Sequence, residues 1–547
     1  MNLVDEVLKC RGYTSRAERE AFLLPDYNRE KHDPFLLPDM DKAVRRLVKA
    51  QRQKERVVIY GDYDIDGLTA STVLQESLTK FGIETEVFIP NRFVEGYGLS
   101  RAAIEKLANE GGAQLIVTVD CGSLSHAEIA RANELGVDVI VTDHHSVADT
   151  MPPAVAVINP KRIDHEYPFI DLAGVGVAFK LVQALQTKLK GLPEGHEKWL
   201  LDLVALGTVC DVVQLKGENR ANVYWGLQVM RKTRRLGLKM LMAVSRVEAD
   251  KLTARSLGFM LGPRLNAAGR LETARLALDL LAATDRQEAY RLAEKLDVMN
   301  LERRAEQDRI FRAASQQALR FENDNVLVVS DATWSHGIIG IVAAKLLETY
   351  HKPTFVLQEL KNGQSKGSAR SFGDFSAVEG IRATETLLIK GGGHKLAAGV
   401  TLETTRIDNW REAINRYYRS LKLENQIKHL YPSADVTIGD FSDINEDLLH
   451  EIARLEPFGN GNPEPVFRLN DAVVVARRTM GADGQHVRYI LTDKSGQTLN
   501  MVAFNKGHEF SAEPGERVDA WFEVTLNEWQ GRRSVEGRLL RLDIIHN

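Results

Sequence analysis

The stretch YGDYDIDG, residues 60–67, carries Asp62, Asp64 and Asp66 at every second position and ends on a glycine. Three carboxylates this close repel one another unless a cation lies between them. The same spacing opens an EF-hand calcium loop, which needs a preceding helix and a bidentate Glu at its twelfth position. Counted from Asp62, that position is Val73, and the motif follows the strand-like run RVVIY, so the calcium-loop reading is set aside. If the chain leaves the strand extended, the three aspartates share one face by the strand period of two, and Gly67 lets it turn into the next helix. An acidic turn that only caps a helix is the plain alternative. It weakens because similar groups recur after other apolar runs: Asp120 after LIVTV, Asp143, His144 and His145 after VIVT, and Asp211 after LVALGTVC. In one parallel sheet these ends converge on a single rim, where open α/β sheets bind ligands. Carboxylates mixed with imidazoles, without cysteine, suit Mn2+ or Mg2+. Ligands for two ions about 3.5–4 Å apart make a phosphoryl-hydrolysis centre.

The elements that must hold these groups are legible as well. The runs RVVIY (56–60), AQLIVTV (113–119), VDVIVT (137–142) and AVAVINP (154–160) are rich in Val and Ile and do not alternate. That pattern suits strands buried on both faces of a parallel sheet. Helical segments such as ASTVLQESLTKFG and SRAAIEKLANEGG lie between them, which makes an α/β domain. No Gly or Pro occurs between Arg270 and Asn325, and the later part of this stretch reads as one helix. At about 35 residues it would be roughly 50 Å long, a length suited to linking domains; two shorter helices with a polar bend are the alternative. A second α/β pattern runs through NVLVVS, GIIGIVAAKLLETY and PTFVLQEL. The tail alternates in short strands separated by GADGQ, KSGQ and WQGRR, which predicts a small β-barrel. The expected organisation is a helical segment over 1–50, the metal-binding domain over 51–275, a connecting helix over 276–325, a second α/β domain over 326–430 and the barrel over 431–547.

The chain has 547 residues and a net charge of −4, with no global basic signature for nucleic acid. Cys10, Cys121 and Cys210 form no C-x-x-C pair, which disfavours a disulfide framework or a structural zinc site and suits a reducing cytoplasm. The first residues lack the pattern of a signal peptide, and no apolar run approaches the roughly 20 residues that span a bilayer.

DYDIDG, VDCG, TDHH and CDVV, in this order, resemble the four motifs of the DHH phosphoesterase superfamily. LIKGGGHKLAAGVTL (388–402) resembles the glycine-rich signature of the DHHA1 domain that follows it. LGPRLNAAGRLETA (261–274) and WSHGIIGIVAAKL (334–346) look like the bacterial single-strand-specific exonucleases within that superfamily, and the likeness runs into the final barrel, which looks like an OB-fold. The resemblance implies a DHH domain joined by the long helix to a smaller DHHA1 domain. It also implies a metal-dependent hydrolase that degrades single-stranded DNA from 5′ to 3′ in recombination and repair. Asp64, Asp66, Asp120, His144 and Asp211 would bind the metal pair, with Asp62 as a further ligand or close neighbour. His145 would face the phosphate, and Asp143 would orient its neighbours.

For the substrate, Arg264, Asn266 and Arg270 are candidates, since guanidinium groups hold phosphate bidentately; a capping loop with surface arginines is the alternative. Gly391, Gly392 and Gly393 could form an anion nest beside His394, or only a flexible turn. The resemblance implies that the second domain holds the terminal 5′-phosphate of the strand; Ser368 and Arg370 in a polar loop and His336 before a glycine-flanked helix are further substrate candidates, and Trp334 could stack a base or belong to the core. In the barrel, Phe504, Trp521, Phe522 and Trp529 are stacking or core aromatics, and Arg477, Arg478, Arg532 and Arg533 track the strand or are solvated. The resemblance further implies a single-stranded-DNA-binding protein and a helicase as partners, no membrane, and a monomer. The competing readings are a DHH phosphodiesterase for short oligonucleotides or cyclic dinucleotides, and a non-catalytic replication scaffold.

Overall fold

The computed structural model describes residues 2–545 other than 93, 94, 97, 424, 425, 432, 482 and 530. The chain divides into two compact units. One comprises Ser15–Leu301 together with Arg454–Glu464; the other comprises the chain up to Thr14, Glu302–Ala453 and the chain from Pro465.

The first unit is built on a sheet of β1 (Val57–Gly61), β2 (Thr85–Phe88), β3 (Leu115–Val119), β4 (Asp138–Thr142) and β5 (Ala156–Ile158). The strands run in the order β2-β1-β3-β4-β5, all parallel. β1 and β3 are buried at every position, as their unbroken apolar runs require. β2 lies at the edge and reads TEVF; its polar positions hide it from a search for apolar runs. Helices Ile65–Lys80, Gly174–Gln186 and Leu201–Cys210 follow.

Two local expectations change here. LVALGTVC is not a strand: it forms the helix Leu201–Cys210, buried nearly all round. A short apolar run enclosed on every side has the same signature in either conformation. DYDID is not extended either, because β1 ends at Gly61 and the helix begins at Ile65. Gly67 therefore lies inside the helix rather than at a turn. It is small because the backbone of Asp62 packs against it: a Cβ there would stand 2.6 Å from the Asp62 carbonyl oxygen.

The second unit holds β6 (Leu327–Asp331), β7 (Thr354–Glu359), β8 (Gln364–Arg370), β9 (Lys390–Gly393) and β10 (Ala397–Glu403) in the order β6-β7-β8-β10-β9. Only β6 and β7 pair in parallel. Its core includes Phe355 and Trp410, whose rings meet edge to face at 5.0 Å. The tail forms β11 (Val436–Ile438), β12 (Phe467–Met480), β13 (His486–Thr492), β14 (Thr498–Ala503), β15 (Arg517–Trp529) and β16 (Arg532–Ile544). Pairing of β12 with β15 closes the last five strands into a barrel. The connecting helix Arg286–Arg320 is a single element of 35 residues. Among the described residues, no helix is long and apolar enough to cross a membrane.

Candidate metal centre

The acidic and imidazole groups meet at the carboxyl ends of β1, β3 and β4, joined by the end of the Leu201–Cys210 helix. Asp62 follows β1. Asp64 caps the Ile65–Lys80 helix, its Oδ1 accepting from the backbone N–H of Gly67 at 3.1 Å. Asp66 sits in the first turn of that helix and accepts from the first N–H groups of another: Gly174 N at 2.6 Å and Val175 N at 2.8 Å. Asp120 follows β3 with a φ of 62°, a left-handed conformation that aspartate tolerates better than most residues. Asp211 caps the C-terminus of the Leu201–Cys210 helix.

His144 lies at the centre. Its Nε2 is 3.1 Å from Asp120 Oδ1, 3.5 Å from Asp211 Oδ2 and 3.8 Å from Asp66 Oδ2. Three overlapping sets have ligand atoms close enough to share a cation: Asp62, Asp64 and Asp120; Asp66, His144 and Asp211; and Asp120, His144 and His145. Glycines make room for them. A Cβ at Gly174 would stand 2.6 Å from Asp120 Oδ1, and one at Gly207 would stand 2.9 Å from Asp66 Oδ1.

The electrostatics are those of an acidic pocket that requires positive charge. Burial, then neighbouring carboxylates, push Asp66 up to about 7 and Asp211 up to about 9. The same causes raise Asp62 and Asp120. Burial, reinforced by repulsion from His145, lowers His144 to about 3, leaving its ring neutral and fit for ligation. Asp62 Oδ1 and His144 Nε2 are buried without a hydrogen bond. Buried polar atoms are rarely left so, and oxygen and nitrogen donors without sulfur suit a hard divalent ion. The residues present therefore fit such a group.

Asp143 does different work. Its Oδ1 accepts from the backbone N–H groups of His144 at 2.7 Å and His145 at 3.1 Å, and meets His145 Nδ1 at 2.8 Å. Its Oδ2 accepts from Ser123 N at 3.0 Å. Burial alone would raise Asp143, but the hydrogen bonds and charge of His145 hold it well below the usual carboxylate range. His145 is raised, because Asp143 and then Asp66 and Asp64 outweigh the effect of its burial. Asn159, which sequence reading passed over, ties the loops together: its Nδ2 donates to Ser123 Oγ at 2.8 Å and to the His145 carbonyl at 2.9 Å. Arg92, over the ring of Tyr63 at 5.1 Å, was also missed; it lies in an irregular stretch where no pattern marks it.

The remaining candidates separate. GPRLNAAGR is helical, within Gly262–Leu271. Asn266 and Arg270 are four residues apart and so share a helix face; neighbouring Gly269 approaches the Tyr63 carbonyl beside the centre. Arg264 is engaged by Asp297 at 2.7 Å and the Met260 carbonyl at 2.6 Å. In the second unit, Ser368 and Arg370 alternate on β8, and both lie against Gly340 near the start of the His336–Tyr350 helix. The expected glycine nest is not formed. Gly391, Gly392 and Gly393 lie in the edge strand β9 in register with β10, Gly393 with a φ of 141° where a Cβ would stand 2.5 Å from Ala398 Cα, and the exposed His394 follows. Trp334 is a core residue with 1% exposure, so it offers no face to a base. Phe522 is core, Trp521 lies between the guanidinium groups of Arg468 and Arg541 at 4.5 Å each, and Phe504 is exposed. The side chain of Trp529 lies outside the described residues.

Comparison with known proteins adds three domain matches: "DHH family, N-terminal domain" over residues 56–208, "DHHA1 domain" over 323–420 and "RecJ OB domain" over 435–540. The single-stranded-DNA-specific exonuclease RecJ of Escherichia coli (strain K12) is 35% identical, with 96% of this chain and 94% of that protein covered. RecJ of Bacillus subtilis (strain 168) is 38% identical over 97% of this chain, which spans 66% of that longer protein. The crystal structure of RecJ from Thermus thermophilus in complex with Mn2+ matches with a TM-score of 0.84 at 30% identity, covering 100% of this chain and 76% of that one. Its Mg2+ counterpart matches with a TM-score of 0.78 at 28% identity, covering 100% of this chain and 75% of that one. A likeness continuous through all three domains, and extending to relatives whose own length is nearly covered, means that this chain belongs to the RecJ family of single-stranded-DNA-specific exonucleases.

Proposed function

We propose that the chain hydrolyses single-stranded DNA from its 5′ end, using Mn2+ or Mg2+ held in pairs by Asp62, Asp64, Asp66, Asp120, His144 and Asp211. The observation that carries this reading is the overlap of the three ligand sets on shared residues, His144 and Asp120. When bound, the divalent ions polarise the scissile phosphate and lower the pKa of water. The protein's own groups do the rest. Asp143 fixes the ring of His145 through Nδ1. With 37% of its side chain exposed and its pKa raised, His145 is placed to donate to a phosphate oxygen as negative charge develops. Asn266 and Arg270 would steady the strand beside the centre, while Ser368, Arg370 and His336 would receive the 5′-terminal phosphate. The exposed Phe504 would offer the barrel's surface to the strand, while Trp521, buried at 7% exposure, would only steady Arg468 and Arg541. Activity in the cytoplasm as a monomer, alongside a single-stranded-DNA-binding protein and a helicase, rests on the family resemblance.

The test is incubation with 3′-labelled single-stranded DNA and Mn2+, alongside EDTA, matched duplex, RNA and an Asp120→Ala variant. Shortening from the 5′ end that is lost with EDTA and in the variant is the expected result. Binding without shortening would instead favour a scaffold.

A further inference from the structure

The motif EPFGNGNPEP, residues 456–465, has no part in the chemistry described so far. It overlaps Arg454–Glu464, the one segment of the chain's last hundred residues that belongs to the unit carrying the metal centre. There it meets the loop that leaves Asp211. Asn460 Nδ2 donates to the Val212 carbonyl at 2.8 Å, and the Asn460 carbonyl accepts from Leu215 N at 2.7 Å.

The segment is itself held rigid. Asn462, buried, donates through Nδ2 to the carbonyls of Leu455 and Pro457 at 2.9 Å each, while Arg220 Nη1 donates to the Leu455 carbonyl at 2.9 Å. Gly459 and Asn462 exchange backbone hydrogen bonds of 2.9 and 3.1 Å across a tight turn. A Cβ at Gly459 would stand 2.7 Å from the side chain of Leu215, so the turn lies directly on the loop.

What it grips is strained. Val212 has a φ of 62°. For a β-branched residue that conformation is a genuine outlier, and it persists only where surrounding contacts impose it. No packing imposes it from the side-chain end, because Val212 is 64% exposed. At its amide end the position just past the Leu201–Cys210 helix favours a left-handed residue, ordinarily glycine, and its N–H bonds the Val209 carbonyl at 3.3 Å; the contact on its carbonyl comes from Asn460. If Val212 relaxed to negative φ, the change would be taken up next door, at Asp211, whose carboxylate lies 3.5 Å from His144 Nε2.

We propose that Asn460 is a positioning residue for Asp211: the 454–464 segment is a clip that holds Val212 in a left-handed conformation and thereby aims the Asp211 carboxylate into the metal centre. The proposal rests on the reading of Asp211 as a metal ligand.

The test uses the full chain, with Mn2+ titrated calorimetrically and metal-free unfolding followed separately. Loss of an outer contact of this kind lowers metal affinity by about 10–100-fold. Asn460→Ala and Asn460→Asp should both show that loss, with DNA shortening recovered at saturating Mn2+ and the metal-free melting temperature little changed. Adding Val212→Asn to Asn460→Ala should restore part of the affinity, because asparagine accepts the left-handed region without outside help. Unchanged Mn2+ affinity in Asn460→Ala, alongside a clear loss in Asp211→Asn, would overturn the clip and leave the metal centre standing. A fall in melting temperature that Val212→Asn and excess Mn2+ both fail to offset would reduce Asn460 to a structural role and also overturn it. Unchanged affinity in Asp211→Asn would remove the ligand reading on which the proposal rests.

Discussion

Replacing Gly174 with alanine adds one methyl group at the point where helix and metal centre touch. Built on the existing backbone, the new Cβ stands 2.6 Å from Asp120 Oδ1, 2.7 Å from its Cβ and 2.8 Å from its Cγ. Carbon contacts settle at about 3.5–4.0 Å, so the carboxylate must retreat by roughly 1 Å. Metal–ligand distances tolerate about 0.2 Å. The displacement exceeds that several-fold, so the substitution should weaken Mn2+ binding by about 10–100-fold, or roughly 1.4–2.8 kcal/mol. The fold should lose no more than about 3 kcal/mol. Gly174 is the first residue of its helix and has no positive φ. Overpacking costs about 1–3 kcal/mol, and replacing helical glycine with alanine returns up to about 1 kcal/mol. The assay is a Mn2+ titration of Gly174→Ala beside its metal-free thermal unfolding. Wild-type Mn2+ affinity in a folded Gly174→Ala protein would refute the packing argument and the placement of Asp120 as a ligand.

The charge state of the cluster predicts a pH dependence. Asp66 at about 7 and Asp211 at about 9 have raised values, so the metal-free fold favours their protonated forms and loses stability as pH rises from the ordinary carboxylate range through those values. Mn2+ requires the ionised forms, so its affinity should climb by up to about tenfold per pH unit for each proton displaced; calorimetry at pH 6.5, 7.5 and 8.5 that finds constant affinity would count against this. Asp143→Asn removes the carboxylate that raises His145, so the alkaline limb of the pH–rate profile should move to lower pH and kcat should fall by about 10²-fold or more; an unmoved limb would dissociate His145 from the reaction. Arg370→Ala should raise KM for 5′-phosphorylated strands by about 10–100-fold, the worth of a charged hydrogen bond, and leave 5′-hydroxyl strands unaffected; equal loss on both would move the terminal phosphate elsewhere.

The parallel sheet and the cluster of carboxylates and imidazoles at its rim were open to reading because they rest on local signals. Buried strands demand unbroken Val and Ile, and a carboxylate at the end of such a run is conspicuous. The errors arose where one signal has two solutions. LVALGTVC is apolar throughout, and only its helical neighbours decide that it coils. The three glycines of KGGGH carry no Cβ to constrain them, so pairing with β10 decides that they form a strand. Trp334 and Trp521 read alike in sequence and both are buried, but one is enclosed by its own domain and the other is covered in part by two arginines brought from β12 and β16. Gly174 and Gly207 left only the faint trace of small residues in AGVG and ALGT, since the need for them comes from groups distant in sequence: Asp120 for Gly174, and Thr69, Val175 and Asp66 for Gly207.

The clip also has a consequence in time. Asn460 is made 249 residues after Asp211, the difference between their positions. A ribosome adding about 5–20 residues per second needs roughly 12–50 s to cover that distance. During that interval the sheet, the histidines and the first aspartates have all been synthesised while the loop beyond Asp211 lacks its restraint. With Asn460 as its restraint, the loop beyond Asp211 can reach its held geometry only after residue 460 has been added, so tight metal binding should lag behind the synthesis of the sheet that carries the other acidic groups.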